Sequence, residues 1–361
     1  MKERYEVTIG IPVYNTERYI RRAMDSVLAQ TFQSIEFLVC DDGCTDASMS
    51  IVEEYQQKHP RGRDIRIVRQ PKNMGLGNAR NRIIEETRSK YLYHMDADDS
   101  ITPNAIELLY KAAREIDAEI VYGSHERIDE VGTSSKRTIF TYDSLQFLKE
   151  DEFAVWAYRK YDGIQANTWN FLIDVDVYRR NGVKHQPVNF WEDFSLTIDL
   201  PTYVTRVVLL SDVTYYYYCR EGSLSHFQRH NRINKEEIER TVYAINQLKI
   251  RSDRIRQKPY FPQRMYKLMM TDFYMIATVL KNQDIVFPAF SDRELRDIMS
   301  SPLTLYEIVR FKSCRGHNLV LYLLGVLPAS VSVSLMRLAV KHQRMARRLW
   351  RTDINDSEGW I

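Results

Sequence analysis

The sequence predicts an α/β fold, in which a mostly parallel, twisted sheet with flanking helices is followed by a helical C-terminal region. In the first hundred residues, short apolar runs alternate with amphipathic stretches, as in βαβ units around a parallel sheet. After residue 226 the pattern changes to charged, proline-poor stretches with helical periodicity. With 361 residues, 44% of them hydrophobic and 27% charged, the chain is long enough for two or three globular domains.

The first part of the chain predicts five strands separated by helices. The strands are expected at Val7–Val13 and at residues 35–40, 65–68, 91–95 and 118–122. The helices are expected at residues 17–30, after Asp46, at 78–89 and from Pro103 to residue 116. Asp46 is a suitable N-cap, and Thr102 with Pro103 forms a plausible N-cap and first helical position.

The second part of the chain has a mixed pattern that we expect to complete the same sheet. Strands are predicted at residues 169–173 and 207–218, and a helix at 193–202. Helices at 235–249 and 264–281 begin the C-terminal region. We therefore expect one α/β domain over residues 1–228, with halves at 1–100 and 101–228, and a helical region over 229–361.

Charge, cysteine content and the N-terminus limit the class of protein. A formal net charge of +3 is too small to indicate a nucleic-acid partner. Four scattered cysteines form neither a disulfide framework nor a zinc site, which fits a reducing compartment. The first residues lead directly into a strand, without the apolar stretch and cleavage site of a signal peptide, so we expect a cytoplasmic protein.

Polar clusters follow the predicted strands, where ligands bind in open α/β sheets. The clusters are PVYN at residues 12–15, DDG at 41–43, NMGLGNARN at 73–81 and DADD at 96–99. They are expected to present five carboxylates and one arginine to a common edge: Asp41, Asp42, Asp96, Asp98, Asp99 and Arg80.

This set of residues suits a nucleoside diphosphate bridged by a divalent metal. Mg²⁺ and Mn²⁺ take oxygen ligands from one or two carboxylates plus substrate phosphates, and Asp96 and Asp98 have a suitable spacing. Tyr14 can stack on a base, and Asp41 or Asp42 can accept hydrogen bonds from the base or ribose.

Two further features of these loops suit the same ligand. Arg80 can approach the base or a phosphate. Gly75 and Gly77 allow the backbone to pass close to a ligand.

The ordered motifs resemble those of family 2 glycosyltransferases with a GT-A fold. The resemblance covers about residues 5–225 and rests on segments 12–15, 26–31, 41–46, 77–81 and 96–99. One departure is Cys44, where the family usually carries serine. A thiol has a similar size but is a weaker hydrogen-bond donor, so we expect the loop geometry to survive.

The resemblance implies an inverting transfer of a sugar from a nucleotide-diphosphate donor, most simply a UDP-sugar, bound by residues 1–100. Asp98 would bind the Mn²⁺ or Mg²⁺ ion, and Asp96 would contact the ribose and assist at the metal. The other substrate-binding positions implied or predicted are Pro12, Tyr14, Asn15, Asp41, Asp42, Gly75, Arg80, Glu192 and Arg220.

Inversion in one displacement needs a general base that accepts the proton of the acceptor hydroxyl. The pair Glu192-Asp193 resembles the family's acceptor-side carboxylates, and Asp193 is the predicted base. The alternative is that both residues only favour a helix N-terminus. Arg220 lies in a segment that in related enzymes closes over the diphosphate, and the alternative for its side chain is a surface salt bridge. His226 is a weaker candidate, as a metal ligand.

The C-terminal tail predicts association with an anionic membrane surface. Residues 318–336 carry no charge, but the apolar run 319–327 is too short to span a bilayer. Nine of the 51 basic residues and none of the 48 acidic residues lie in segment 308–352. We expect the leucines of 319–327 to contact lipid at the inner face of the cell membrane, and a chain ending near Leu305 to stay soluble. The alternative is a helical hairpin packed on the catalytic domain.

Three other functions compete with glycosyl transfer in cell-surface polysaccharide assembly. A nucleotidyltransferase is disfavoured because the first strand is not followed by a glycine-rich loop with a basic residue. A dehydrogenase is disfavoured because no Gly-x-Gly-x-x-Gly motif follows that strand. A catalytically silent module that binds sugar nucleotides or glycans is disfavoured by the retained acidic positions.

Overall fold

The computed structural model of the protein describes residues 5–131, 134–159, 167–186, 192–219 and 232–342. The chain forms two compact units. The first, called here the α/β unit, comprises Met1–Phe153 and Ala166–His226. The second, called the helical unit, comprises Ala154–Gln165 and Phe227–Ile361, so a short segment before residue 166 belongs with the C-terminal region.

Four parallel strands form the first half of the sheet, as the alternating pattern predicts. They are β1 (Val7–Val13), β2 (Ile35–Asp41), β3 (Ile65–Arg69) and β4 (Tyr91–His94), in the spatial order β3-β2-β1-β4. The connecting helices are α1 (Ile20–Leu28), α2 (Ser48–Lys58) and α3 (Leu76–Glu86).

The hydrophobic core lies around this parallel half. Every residue of β1 and β2 is buried, as expected for strands covered on both faces. The α1 helix packs on the sheet through one apolar stripe. Its buried members are Ile20, Ala23, Met24, Val27 and Leu28.

The rest of the sheet is mixed, so the sheet as a whole is less parallel than expected. It adds the strands β5 (Ser100–Ile101), β6 (Ile120–Val131), β7 (Ser134–Phe140), β8 (Leu145–Phe147), β9 (Phe171–Asp174) and β10 (Val207–Cys219). β9 lies antiparallel between β4 and β6, whereas β10 is parallel to β6. The predicted continuation of one sheet is confirmed, because all ten strands belong to it.

Helices in this part begin or end differently from the sequence prediction. The structure has α4 (Ala105–Ile116), α5 (Glu152–Arg159), α6 (Val175–Asn181) and α7 (Glu192–Thr197). Thr102 does not cap α4: its carbonyl accepts the Ala105 N–H within a turn, and Asn104 is the N-cap. The helix expected at 193–202 is divided into α7 and a 3₁₀ turn at Leu200–Thr202.

The described residues of the helical unit form six further α-helices and one short parallel strand pair. The helices are α8 (Lys235–Arg251), α9 (Phe261–Lys281), α10 (Asp292–Ile298), α11 (Leu305–Arg310), α12 (Arg315–Val326) and α13 (Ala329–Lys341). The strands are β11 (Ile233–Asn234) and β12 (Val286–Phe287). Within the part of the chain that the structure describes, no helix is long and apolar enough to cross a membrane.

Candidate active site

The parallel register brings the ends of β1, β2 and β4 to one edge of the α/β unit. Val13 lies beside Asp41, and Asp41 lies beside Arg69 of β3. Gly10 lies beside His94, which ends β4 one residue before the DADD turn. The predicted convergence of the loops at this edge therefore follows from the strand pairing.

Asp42 is buried and organises the loop that precedes α3. Its Oδ1 accepts hydrogen bonds from Gln70 Nε2 and the Met74 N–H, both at 2.7 Å, and its Oδ2 accepts the Gly75 N–H at 3.0 Å. Gly75 is the N-cap of α3 with φ +89°, a conformation that glycine adopts without strain. The carboxylate predicted to contact ribose or base thus also fixes the loop beside the site.

The loop after β1 is tied to the loop after β2. Asn15, at φ 51°, accepts the Thr45 N–H at 2.9 Å, and Cys44 Sγ donates to the Val13 carbonyl at 3.3 Å. The thiol therefore serves the loop as expected. Tyr14 is 45% exposed, as a side chain available for stacking should be.

Pro12 and Asp41 lie within the paired strands. Pro12 is opposite Cys40. Asp41 accepts the Cys44 N–H at 2.9 Å and lies 3.7 Å from Arg69 Nε. These contacts connect the ends of three strands.

Arg80 connects the DADD turn to Asp193 of α7. Its side chain is 1% exposed, and its Nη2 donates to Asp96 Oδ1 at 2.7 Å. Its Nη1 donates to Asp193 Oδ1. Asp96 and Asp193 keep 22% and 26% of their side-chain surface exposed, so two partly open carboxylates converge on one buried cation.

Thr168, which sequence reasoning missed, also holds Asp193. Its hydroxyl is buried and donates to Asp193 Oδ1 at 2.7 Å. The contact spans 25 residues, so spacing along the chain could not reveal it. The only signal in the sequence was the position of Thr168 beside the strand predicted at 169–173.

Two buried histidines lie in the electrostatic environment of Arg80. The His94 and His185 rings meet edge to face at 5.9 Å. Burial, together with a smaller effect of Arg80, lowers the pKa of His185 to about 3, and burial lowers the pKa of His94 well below its usual value. Both rings are therefore neutral near pH 7, whereas Arg80 supplies positive charge beside Asp96 and Asp193.

Asp99 was expected at the common edge with the other carboxylates, but it is turned towards β10 instead. The Tyr215 hydroxyl donates to Asp99 Oδ2 at 2.7 Å, and the Tyr218 N–H donates to its Oδ1 at 2.8 Å. The same tyrosine hydroxyl accepts the Asp96 N–H at 3.2 Å. Asp99 thus fastens the DADD turn to β10, a contact across more than 115 residues that spacing along the chain could not predict.

Asp96 and Asp98 fit a divalent cation that is shared with a substrate. Burial raises the pKa of Asp96, the Asp98 and Asp193 carboxylates raise it further, and Arg80 opposes them. A hard cation would relieve this crowding of negative charge, taking its other ligands from phosphate and water. In the described ranges, no group of three or more His, Cys, Asp or Glu side chains is arranged to hold a metal by itself.

Several predicted site residues cannot be placed. Arg220 and His226 lie outside the described residues, as do the four arginines at 344, 347, 348 and 351. The α7 helix begins at Glu192, but the Glu192 side chain is also outside what the structure describes.

The chain carries a family 2 glycosyltransferase domain. Residues 8–184 match the family model described as Glycosyl transferase family 2. The match includes the DDG, GNARN and DADD segments, and proteins named as glycosyltransferases are similar over longer stretches. The protein is therefore a glycosyltransferase, and the resemblance predicted from the motifs is confirmed.

Two relatives show how far the likeness extends. Glycosyltransferase GlyG of Streptococcus pneumoniae serotype 4 is 27% identical over 229 residues, covering 60% of this chain and 72% of GlyG. Chondroitin synthase of Escherichia coli is 38% identical over 127 residues, covering 35% of this chain but 18% of that larger protein.

Solved structures confirm the predicted GT-A type of fold. Residues 1–349 of TarS from S. aureus superpose with a TM-score of 0.63 at 16% identity, covering 97% of this chain and 94% of that one. TarS has also been solved in complex with UDP and with UDP-GlcNAc. The mannosyltransferase PcManGT from Pyrobaculum calidifontis, in complex with GDP-Man and Mn²⁺, gives a TM-score of 0.51 at 15% identity, covering 98% and 89%.

Proposed function

We propose that this glycosyltransferase is metal-dependent and inverting, and that it transfers a sugar from a UDP-sugar to a glycan or lipid-linked acceptor. The observation that carries the proposal is the Arg80 bridge. It brings Asp96 of the donor-side turn and Asp193 of the acceptor-side helix to one guanidinium, although they are 97 residues apart in the sequence.

In the proposed reaction, Asp193 accepts the proton of the acceptor hydroxyl while that oxygen forms a bond to the anomeric carbon. The bond from that carbon to the diphosphate oxygen breaks, and the nucleoside diphosphate leaves with the bonding electrons. Arg80 and Thr168 hold the Asp193 carboxylate in place.

The donor is proposed to lie across the carboxyl edge of the parallel strands. Tyr14 would stack on the base, and Asp41, with the loop fixed by Asp42, would form the wall beside base and ribose. Asp98 and Asp96 would hold Mn²⁺ or Mg²⁺, which when bound neutralises charge on the leaving diphosphate. A glycosyltransferase solved with Mn²⁺ and another solved with UDP-GlcNAc, both of the same fold, support this assignment.

We also propose a place in cell-surface polysaccharide assembly, at the inner face of the cell membrane. Relatives named for polysaccharide synthesis, such as chondroitin synthase, support the first part. The basic C-terminal segment, which carries no acidic residue between 308 and 352, supports the second.

A screen of nucleotide-sugars, each with and without Mn²⁺, tests the proposed donor and metal. A ligand that binds the native state raises the apparent melting temperature, so a Mn²⁺-dependent rise is expected with a UDP-sugar. Slow release of UDP from the same donor should follow. Absence of both effects with every donor would contradict the proposal, and a thermal shift without hydrolysis or transfer would favour a silent binding module.

A further inference from the structure

We propose that the outward surface of the α12–α13 hairpin is a docking face for anionic lipid. The face is defined by Val320, Leu323 and Val326 of α12 and by Val331, Leu335 and Leu338 of α13. This inference rests on the proposed membrane location and deepens it by naming the surface that contacts lipid, but it does not depend on the proposed chemistry.

The inner side of the hairpin is fixed to the helical unit. Leu321, Val333 and Met336 are fully buried, and α12 and α13 both pack on α9 and α10. Asn318 Nδ2 donates to the Pro262 carbonyl at 3.0 Å, which joins α12 to the first turn of α9. The leucine run therefore does not act as one lipid-facing segment, because Leu321 and Leu324 belong to the core.

This packing also changes the expected result of truncation. A chain ending near Leu305 would expose the surface of α9 that α12 and α13 cover. We now expect that truncation to destabilise the helical unit, so the test of lipid binding needs the full chain.

The outer side of the hairpin is apolar and open. Because both inner faces pack on α9, the two outer faces point away from it. The six residues of the docking face are between 41% and 56% exposed. Among the described residues, nine of the sixteen exposed large apolar side chains lie between Leu305 and Leu338. An apolar patch concentrated in this way marks a contact surface.

Tyr306 and Val309 on α11 extend this exposure next to α12. Tyrosine has an apolar ring and a polar end, and it is favoured at membrane–water interfaces.

The charge around the docking face favours a lipid surface. Between residues 308 and 342 there are five basic residues and no acidic one. They are Arg310, Lys312, Arg315, Arg337 and Lys341. Lys341 lies one turn after Leu338 on α13, and a basic residue beside exposed leucines is typical of helices that lie on anionic bilayers.

Acidic residues on the neighbouring α10 are paired. Asp292 lies 3.4 Å from Arg337, and Asp297 lies 2.5 Å from Arg296. These pairs limit repulsion of anionic headgroups. A second copy of the chain would instead bring two basic hairpins together, so we commit to lipid as the occupant.

Vesicle flotation with the full-length protein tests the proposal. Phosphatidylcholine vesicles are compared with vesicles of phosphatidylcholine and phosphatidylglycerol in equal parts. The protein should bind the mixed vesicles and be partly released by salt, because attraction to anionic lipid is screened. The double variant Leu323→Gln/Leu335→Gln should bind about tenfold or more weakly, because it removes apolar side chains that enter the interface.

The matched control is Tyr243→Gln/Ile250→Gln, which alters two exposed apolar residues of α8. It should bind vesicles like the unaltered protein, and all three proteins should hydrolyse donor equally. The proposal is overturned if the unaltered protein binds neither vesicle or if the hairpin variant binds undiminished. It is also overturned if sedimentation shows a dimer that only the hairpin variant loses. Failure of donor hydrolysis in every protein would instead contradict the proposed reaction.

Discussion

Two clusters of buried cation and carboxylate, one in each unit, differ in how much of the carboxylate reaches solvent. In the α/β unit, Arg80 is buried but Asp96 and Asp193 are partly exposed. In the helical unit, Lys249 and Asp272 pair with side chains 3% and 0% exposed. In the first, here called the open cluster, partly exposed carboxylates beside a buried cation can contact a substrate. In the second, the closed cluster, both side chains are buried and can only stabilise the fold.

The surroundings of the closed pair support this distinction. Lys249 Nζ also donates to the Ser300 carbonyl at 2.8 Å, which fixes the segment after α10. About two turns earlier on the same helix, Arg264 is fully buried and donates to Ser252 Oγ and to the Tyr158 hydroxyl. These contacts join elements of the helical unit to one another.

The largest expected effect is on turnover at the open cluster. Asp193→Asn should lower kcat by about a thousandfold, because the amide keeps the shape but cannot accept the proton. Nucleotide KM and the melting temperature should change little. Steady-state transfer or donor hydrolysis measures this, with Asp212→Asn, an exposed carboxylate on β10, as the matched control. Substantial activity in Asp193→Asn would remove Asp193 as the base and favour Glu192.

Substitutions in the closed cluster should lower the stability of the protein and leave nucleotide binding unchanged. At pH 8, where the Asp272 carboxyl is ionised, Lys249→Met leaves it buried without its cation and should lower the free energy of unfolding by about 3 kcal/mol. Chemical denaturation measures the loss. Lys249→Met/Asp272→Leu should recover most of it, since no buried charge remains. If Lys249→Met left stability unchanged but abolished nucleotide binding, the distinction between the clusters would be wrong.

The pH dependence of stability sharpens the same contrast. Burial raises the pKa of Asp272 to about 7, and Lys249 opposes this rise. Between about pH 4 and pH 7 the carboxyl then ionises in the unfolded chain but remains protonated in the folded one. The stability of the protein relative to Asp272→Asn should therefore fall as pH rises through this range and level off above it. Denaturation midpoints of both proteins at several pH values test the sign, and a relative rise would show that the folded pair is ionised throughout.

The smallest of these effects is expected at Asp42. Asp42→Ala leaves the Met74 and Gly75 N–H groups without their acceptor, so the loop should loosen and nucleotide should bind about tenfold more weakly. Titration calorimetry should show that the metal requirement is kept. Normal affinity would mean that this loop does not contribute to the nucleotide site.

The sequence predicted the parallel half of the fold well because its signals are local. Apolar runs and helical stripes mark β1 to β4 and α1 to α3 within a few residues. The strands β7 and β5 were missed for different reasons. β7 pairs with the directly preceding β6, but its sequence SSKRTIF is largely polar, whereas β5 pairs with β10 more than a hundred residues away.

The residue types of the site could be predicted from the sequence, but the hydrogen bonds and ion pairs between them could not. The order of the motifs identified Asp96, Asp98 and Asp193 as candidates. It could not show that Arg80 joins Asp96 to Asp193, or that Tyr215 turns Asp99 away from the edge, because these contacts span up to 116 residues. Thr168 carried no motif at all.

The most direct test of the account is the affinity of UDP for the full-length protein and for Asp98→Asn, measured by titration calorimetry with and without Mn²⁺. The unaltered protein should bind UDP tightly when Mn²⁺ is present and much more weakly without it, because a hard cation bridges carboxylate and diphosphate. Asp98→Asn should keep its melting temperature and lose the Mn²⁺-dependent part of the affinity. Equal Mn²⁺-dependent affinity in both proteins would contradict the assignment of this turn as the metal and donor site.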